Sequence, residues 1–414
     1  MRLWPFGKKE DRASLENPGV SLADPRALQV LFGGAESEAG VTVTRENALS
    51  VPAFWQGVNF LSSTIASLPL HVYQDVDGQR QRDNGPIDRM LNVAANESLT
   101  SFRWRKKVMM DTLTEGRSYT FVRRNRAGQP RDLFPLDPNA VTLRIQGGEM
   151  FYDYTPLSDK SGRSKTTYTA DQIIDIPWAL ESDGYTHINP VVKLRNALGL
   201  AIALETYGAR FFNSGGIPPV ALQGPPMSPA AAKRAGTDVK NAISDAVKQG
   251  RPPVMPEGFE LKSIGVDPEK SQMNEARRFQ IEEIARILDL PPVFLHDLTK
   301  GTFNNTEQAA LNLVKHTLRQ WLVAIEQEIN LKLFRRTQQN TRFAEFNVDG
   351  LLRGDFATRM GGMAQGIQNG MLTPNEARQM ENREPKDGGD SLHLQQNMMD
   401  LQSIGEPDGS DGEA

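Results

Sequence analysis

Ile284-Ala285-Arg286-Ile287-Leu288-Asp289-Leu290-Pro291-Pro292, followed by Gly301-Thr302-Phe303-Asn304-Asn305-Thr306-Glu307-Gln308, joins two helical patterns through a proline break and a loop. On the N-terminal side, Ile281, Ile284, Ala285 and Leu288 share one stripe of a helix over Glu275 to Leu288. Pro291-Pro292 ends it, because proline lacks an N–H and restricts the residue before it. A loop from Phe294 to Phe303 follows and carries Lys300-Gly301. Asn305-Thr306-Glu307-Gln308 is patterned like a capping box. It launches a helix with Leu311, Val314, Leu318, Trp321, Ile325 and Ile329 in register. If that helix reaches Leu333 it spans about 43 Å at ~1.5 Å per residue. Such a length is natural for an extended scaffold and long for a compact domain.

Upstream, residues 45–189 read as an α+β unit. Ser50-Val51-Pro52 predicts a Ser-capped helix with proline in its first turn, carrying Ala53, Val58, Leu61, Ile65 and Leu68. Leu70 to Tyr73 reads as a strand turning at Asp77-Gly78, and Ser101 to Glu115 as a second helix. Strands are expected at Ser118 to Val122, at Ile173 to Ile176, and at Val141 to Ile145 and Met150 to Tyr154 around Gly147-Gly148. Asn189-Pro190 then opens a helix to about Phe212 with Val192, Leu198, Ile202 and Leu204 among its apolar positions, and Asn213 to Gly216 stops it. A small insert follows. It has a strand at Val220 to Leu222 and a helix from Ser228-Pro229 to Gly250 with Ala235, Val239, Ala242, Ile243 and Ala246 on one face. Strand residues near Val254 and Phe259 to Leu261 close it. Phe356 to Glu381 reads as a helical hairpin, and the acidic, glycine-rich stretch after Lys386 as a disordered tail.

Composition narrows the function. The 414 residues are 38% hydrophobic, below the usual globular share, which suits an elongated protein completed by neighbouring copies. The formal net charge of −4 argues against a nucleic-acid-coating surface. A conduit should avoid tight phosphate neutralisation, which would hold DNA in place. Without cysteine there is no disulfide, thiol nucleophile or Cys-based zinc site. No apolar run approaches the ~20 residues that span a bilayer, so no membrane is expected, and Met1 to Glu10 lacks the apolar core of a signal peptide.

No catalytic constellation emerges. His71, His187, His296, His316 and His393 lack metal-ligand spacing. Lys300-Gly301-Thr302 has the letters of a phosphate loop in the wrong order, without a glycine-rich strand-to-helix turn before it. Asp297 is the sole carboxylate of its loop. Neither an enzyme nor a cofactor is expected. The basic residues Arg103, Arg105, Lys106 and Lys107, with Arg123, Arg124 and Arg126 beyond, read as a solvated face, with a subunit contact or DNA-facing patch as the alternatives.

The segments quoted at the outset, together with Glu275-Ala276-Arg277, resemble the portal (head–tail connector) family of long-tailed bacteriophages, which includes phage-like gene transfer agents. Phe211-Phe212-Asn213-Ser214-Gly215-Gly216-Ile217-Pro218 is similar to the family's segment after the stem helix. Leu352-Arg353, Asp355 and Gly370-Met371-Leu372-Thr373-Pro374-Asn375-Glu376-Ala377-Arg378 are similar to its C-terminal signature. The likeness covers about residues 45–390 in the family's order.

The resemblance implies an α+β portal fold: an α/β wing, a helical stem, a small α/β clip insert, a long tunnel-side helix and a short helical crown, in a ring of usually twelve subunits. By position, 1–44 is a mobile arm, 45–189 the first part of the wing, 190–215 a stem helix and 216–266 the clip. Then 267–293 is the second stem helix, 294–304 the tunnel loop, 305–349 the long helix and wing return, 350–385 the crown and 386–414 the acidic tail. The implied partners are sister copies, the large terminase, a head–tail adaptor, the major capsid protein and double-stranded DNA passing through the channel. The implied location is a capsid vertex of a virion assembled in the host bacterial cytoplasm. Lys300, Thr302 and Asn304 are candidate DNA contacts in the tunnel loop, and Lys233, Arg234 and Lys240 candidate motor or adaptor contacts on the clip helix. Stem helices with unsatisfied apolar flanks would be completed by neighbours, and a heterologous contact closes into a ring if its rotation does. A non-conduit scaffold or adaptor and a nuclease or hydrolase are the competing readings.

Overall fold

A computed structural model describes residues 35–76, 78–156, 164–213, 220–249, 258–263, 272–296, 309, 311–348, 351, 356–381 and 383–393. They fall into two units, one ending at Asn347 and the other beginning at Val348. The stretch expected as an arm contributes a two-stranded ladder, β1 (Ala35–Glu36) with β2 (Thr42–Val43). Thr44 then opens α1 (Arg45–Ser50): its Oγ1 accepts from the Asn47 N–H at 3.3 Å, and Asn47 Oδ1 accepts from the Thr44 N–H at 2.7 Å. The expected Ser50 cap is therefore corrected. Ser50 ends α1, and α2 (Pro52–Ser67) starts from Val51 with no side-chain cap, its φ preset by Pro52.

β3 (Leu70–Val76) and β4 (Gln79–Arg82) pair as a hairpin past Gly78 at φ 77°, and Asp77 lies outside the described residues. After α3 (Pro86–Asn92), β5 (Ala94–Asn96) and β6 (Leu99–Thr100), α4 (Ser101–Glu115) is capped by the Thr100 side chain. It ends on Gly116 at φ 82°, where a Cβ would lie 2.4 Å from the Ile188 carbonyl oxygen, so glycine is required. Next come β7 (Arg117–Arg124), β8 (Pro130–Leu136), β9 (Val141–Gln146), β10 (Glu149–Tyr154), β11 (Thr166–Thr169) and β12 (Ile173–Pro177). They form antiparallel sheets in the orders β12-β7-β8 and β11-β10-β9. Gln146 faces Glu149 across Gly147 and Gly148, at φ 62° and 83°, as the dipeptide predicts for a two-residue hairpin.

The helix expected from Pro190 is divided. α5 (Pro190–Lys193) rests on the Asn189 cap, Leu194 leaves helical geometry at φ −103°, ψ 18°, and α6 (Arg195–Asn213) follows. The insert comprises β13 (Val220–Gln223), α7 (Pro229–Lys248) and β14 (Glu260–Ser263), with Leu222 opposite Leu261. α8 (Gln272–Ile287) comes next. Later a π-helical turn over Leu313–Leu318 leads directly into α9 (Arg319–Leu333), an irregularity the apolar spacing did not reveal. β15 (Arg342–Phe346) adds to β3, giving the order β15-β3-β4.

The core is built where α2 and α4 pack on each other and on these sheets. Phe54, Leu61, Ile65, Trp104, Met109, Leu113 and Leu133 are fully buried there, and the Trp104 indole N–H donates to Thr120 Oγ1 at 3.0 Å. α9 closes two open sheet edges with polar side chains. Asn330 exchanges two hydrogen bonds with the Ala344 backbone at 2.7 and 3.2 Å, and Glu326 accepts from the Phe346 N–H at 2.8 Å. On the other side Glu328 accepts from the Asp175 N–H at 3.1 Å, and Lys332 donates to the Ala170 carbonyl at 2.6 Å. Edge groups of β15 and β12 that would otherwise be unpaired are thereby satisfied.

In the second unit, α10 (Phe356–Gln368) and α11 (Pro374–Met380) form the predicted helical pair, and Thr373 and Glu376 make a capping box. The polar stretch expected as tail is held for its first turn. Asn375 bonds the Lys386 backbone N–H and C=O at 2.8 and 3.0 Å and Asp390 at 2.8 Å. Residues 394–414 lie outside the described residues.

Candidate functional site

α6 and α8 pack against each other, and each has apolar residues on more than one side. Inward, Leu198 and Ile284 are buried, and Gly199 sits so close to the β1–β2 ladder that a Cβ would meet Ser37 Oγ at 2.2 Å. Outward, Leu200 and Tyr207, seven residues apart and therefore on one face, are 42% and 44% exposed. On α8, Phe279 is 52% exposed, on the side opposite Gln280 and Ile284. Between the two helices and Val51 to Ala53 lies an apolar cleft of about 130 Å³. The buried Gln280 Oε1 at this cleft has no hydrogen-bond partner among the described residues. A helix that is apolar on both sides is stable in water only when both sides are covered.

The loop after α8 is framed by fixed ends. Gly57 of α2 lets Leu288 approach, since a Cβ there would meet Leu288 Cδ1 at 2.2 Å. The rings of Phe60 and Phe294 stack at 5.0 Å, and Leu295 is buried. Asp289 and His296 hold positive φ values of 52° and 62°, uncommon for residues with a side chain. On the far side, Thr317 Oγ1 in the π-turn donates to the Asp289 carbonyl at 2.5 Å. Lys300, Thr302 and Asn304, with the expected capping box at Asn305 to Gln308, lie outside the described residues.

In the insert, α7 buries Val239 and Ala246, the face read from the sequence, while Gly250 lies outside the described residues. Lys233, Arg234 and Lys240 are all exposed. Lys233 and Lys240 are seven residues apart and point away from the Val239 and Ala246 side, with Arg234 flanking them. None of the three forms an ion pair among the described residues. Lys233 and Lys240 thus share one outward side of the helix, and Arg234 lies on a neighbouring side with Asp238.

The basic run on α4 needs correction. Arg103 is exposed, but Arg105 is buried, and its guanidinium donates to the carbonyls of Ala66, at 2.8 and 3.1 Å, and of Leu91. These carbonyls close the C-terminal turns of α2 and α3, so Arg105 satisfies groups that helix ends leave open. Burial lowers its pKa to about 10. Lys106 bonds Asn59 at 2.8 Å and Lys107 bonds Asp111 at 2.7 Å. Arg124 reaches the Lys332 carbonyl at 2.6 Å. Arg105 is thus internal scaffolding, whereas Arg103, Arg123 and Arg126 are exposed as a solvated face requires, and no spacing in the sequence distinguishes the two.

A second buried ionic group holds β7, β10 and β12 together. Arg117 grips Asp175 with two bonds of 2.6 and 2.5 Å, and the Tyr152 hydroxyl donates to Asp175 at 2.7 Å. Burial, then the Asp175 charge, pushes the Tyr119 and Tyr152 hydroxyls above the usual phenol range. Burial raises the Glu328 carboxyl, which approaches the same group through the Asp175 backbone. Arg117, Asp175 and Tyr152 are thus held by one another, and Glu328 by the Asp175 N–H. Among the described residues, no three His, Asp or Glu side chains gather to hold a metal.

Comparison with known proteins agrees with this architecture. The chain is 28% identical over 374 residues to the portal protein of Enterobacteria phage HK97, covering 88% of this chain and 86% of that protein. Among solved structures it is similar to an HK97-family phage portal protein from Corynebacterium diphtheriae (TM-score 0.55, 18% identity, 75% of this chain and 98% of that one). It is also similar to a chain in the neck of gene transfer agent particles. The empty neck, computed with C6 symmetry, gives TM-score 0.54 and 18% identity, and the native neck, computed with C12 symmetry, gives 0.52 and 17%; each match covers 87% of this chain and 99% of the other. The family model for phage portal proteins matches residues 52–382, from the start of α2 to just beyond α11, and the chain belongs to that family.

Proposed function

We propose that twelve copies of this chain close into a ring at one capsid vertex and line the channel through which double-stranded DNA is packaged and ejected. The observation that carries this reading is the packed helix pair α6 and α8, which buries Leu198 and Ile284 on one side and leaves Leu200, Tyr207 and Phe279 exposed on another. In a head-to-tail contact, these exposed side chains on one copy meet a different surface of the next, and repetition of a closing rotation gives a ring. The necks of gene transfer agent particles, computed with C6 and C12 symmetry, support that stoichiometry. The protein acts by shape and charge, without a cofactor or a catalytic step, as a component of a virion assembled in the host bacterial cytoplasm.

In this reading residues 45–189 and 305–349 form the wing that meets the major capsid protein, α6 and α8 the stem, and 350–385 a short crown. The loop 294–304 narrows the channel, with Lys300, and secondarily Thr302 and Asn304, touching passing phosphates. A lone lysine suits this role, because its contact is weak enough to release DNA and is screened by salt. The clip, residues 216–266, presents Lys233, Arg234 and Lys240 to the large terminase during packaging and to the head–tail adaptor afterwards.

One experiment tests both sets of residues: DNA content of particles carrying either Lys300→Ala or the triple charge reversal Lys233→Glu, Arg234→Glu, Lys240→Glu. The triple variant is expected to weaken terminase binding about tenfold and to yield empty heads, and Lys300→Ala to reduce DNA retention. Full heads and unchanged motor binding in the triple variant would remove the clip assignment. Normal packaging and retention with Lys300→Ala would remove the tunnel-loop assignment.

A further inference from the structure

A pocket of about 320 Å³ lies between the Asp83–Ile87 turn, the β7–β8 turn and the chain that leaves α9 for β15. It lies within the segments read above as the wing, remote in sequence from the stem, clip and tunnel loop, and the portal reading gives its residues no individual role. Its rim carries Arg131, Arg335 and Arg342 against one carboxylate, Asp83. Asp83 accepts from Arg342 at 2.6 Å, yet the Arg342 Nε is buried with no partner among the described residues. Arg335 is exposed and spends one nitrogen on the Ala127 carbonyl. Arg131 stands at the mouth, its side chain 65% exposed and already paired with Asp132 at 3.6 Å and Glu97 at 4.0 Å.

The carboxamides at the rim are oriented the same way. Gln338 uses its oxygen to accept from the Arg335 N–H at 3.4 Å, and Gln129 uses its oxygen to accept from Asn125 Nδ2 at 3.0 Å. Each therefore retains an NH2 group as its remaining hydrogen-bonding function. With Arg131 paired to Asp132 and Glu97 and Arg342 paired to Asp83, the surplus positive charge is that of Arg335, and the unused Arg342 Nε adds a donor. The wall is different: Leu333 is buried and Ile87 and Pro130 are half-buried, giving an apolar floor beneath a ring of donors.

We infer that this pocket binds an acidic peptide segment of a partner protein, taking a carboxylate at the Arg335–Arg342 rim and its aliphatic stem against Leu333 and Ile87. Guanidinium groups suit a carboxylate because their planar donors match its two oxygens. A phosphodiester backbone is the weaker fit. It is a continuous row of charges best met by an open basic track, and it has no aliphatic part for the floor.

The test uses the full-length chain and a fluorescein-labelled peptide of alternating leucine and glutamate, followed by fluorescence anisotropy. The same peptide with glutamine for glutamate and a short DNA duplex as competitor form the other arms. Saturable binding is expected at concentrations below about 1 mM, weakened about tenfold or more by Arg335→Glu. Gln338→Leu, which removes a donor without changing charge, is expected to weaken it about threefold. The glutamine peptide should not bind, and the duplex should not compete. Absence of binding, equal affinity for the Arg335→Glu chain, equal binding of the glutamine peptide, or displacement by the duplex would each overturn the inference.

Discussion

The β-rich part and the stem helices of this chain are finished to different degrees. Around α2 and α4, large side chains such as Phe54, Trp104 and Leu113 are buried to 2% exposure or less and Arg105 is used up by internal carbonyls, with Trp55 and Phe102 left at the outer side. Along α6 and α8, Leu200, Tyr207 and Phe279 stand half out in solvent, and Gln280 keeps a buried acceptor unpaired. Both regions are comparably helical, so propensity does not explain the contrast. What differs is the number of packed layers. α2 and α4 have sheets and other helices around them, whereas α6 and α8 have each other, α2 and a two-stranded ladder. The first region closes within one chain, and the second is the side we propose a sister copy covers.

Substitutions in the sealed region should therefore cost folding, and those in the open region assembly. Trp104→Ala is expected to be the most damaging, destabilising the unassembled chain by about 3–5 kcal/mol in urea titrations. A cost under about 1 kcal/mol would mean that this core is looser than its packing indicates. Arg105→Met comes next, at about 2–3 kcal/mol, because the carbonyls of Ala66 and Leu91 lose their donor while the volume is largely kept. If it stabilised the chain instead, desolvation of the guanidinium would outweigh its two contacts.

A smaller effect tests the join between the two regions. His187, just before α5, has its pKa lowered first by burial and then by the Arg117 charge. The folded state thus binds its proton less readily than the unfolded state, whose histidine titrates near 6.5. Stability from this site is present above that pH and is lost as pH falls below it. Urea midpoints followed from about pH 7.5 down to about 5.5 should decline more steeply for the wild type than for His187→Gln. Parallel curves would show that His187 titrates as an exposed group. His71, likewise lowered by burial and by Arg82, leaves a residual slope in both proteins.

Features with local causes were legible in the sequence. Gly147-Gly148 between alternating residues gave away the β9–β10 hairpin, because those backbone angles exclude most other residues. Ser228-Pro229 and the spacing of Val239 and Ala246 marked both the start and the buried face of α7, and with them the outward side holding Lys233 and Lys240. Features whose partners are distant in the chain were hidden. Arg105 looks like its neighbours Arg103 and Lys106 until the ends of α2 and α3 converge on it. Glu326 and Asn330 on one side of α9, and Glu328 and Lys332 on the other, look like ordinary polar helix positions, and only the arrival of β15 and β12 makes them edge caps. The apolar positions first read on the stem helix, Leu198 and Ile202 among them, fall on its inner side. Leu200 and Tyr207 interleave with them and with exposed Asn196, Glu205 and Arg210, so spacing alone does not separate the exposed apolar residues from the buried ones.

The most direct test of this division is the mass of the purified chain in solution, with particle images, for the wild type and for Leu200→Ser, Tyr207→Ser, Phe279→Ser combined. Removing exposed apolar groups should change folding stability by no more than about 0.5 kcal/mol each. The account predicts closed rings with a central hole for the wild type and a folded single subunit for the triple variant. A wild-type chain that stays a stable monomer, or a triple variant that forms rings as readily as the wild type, would contradict it.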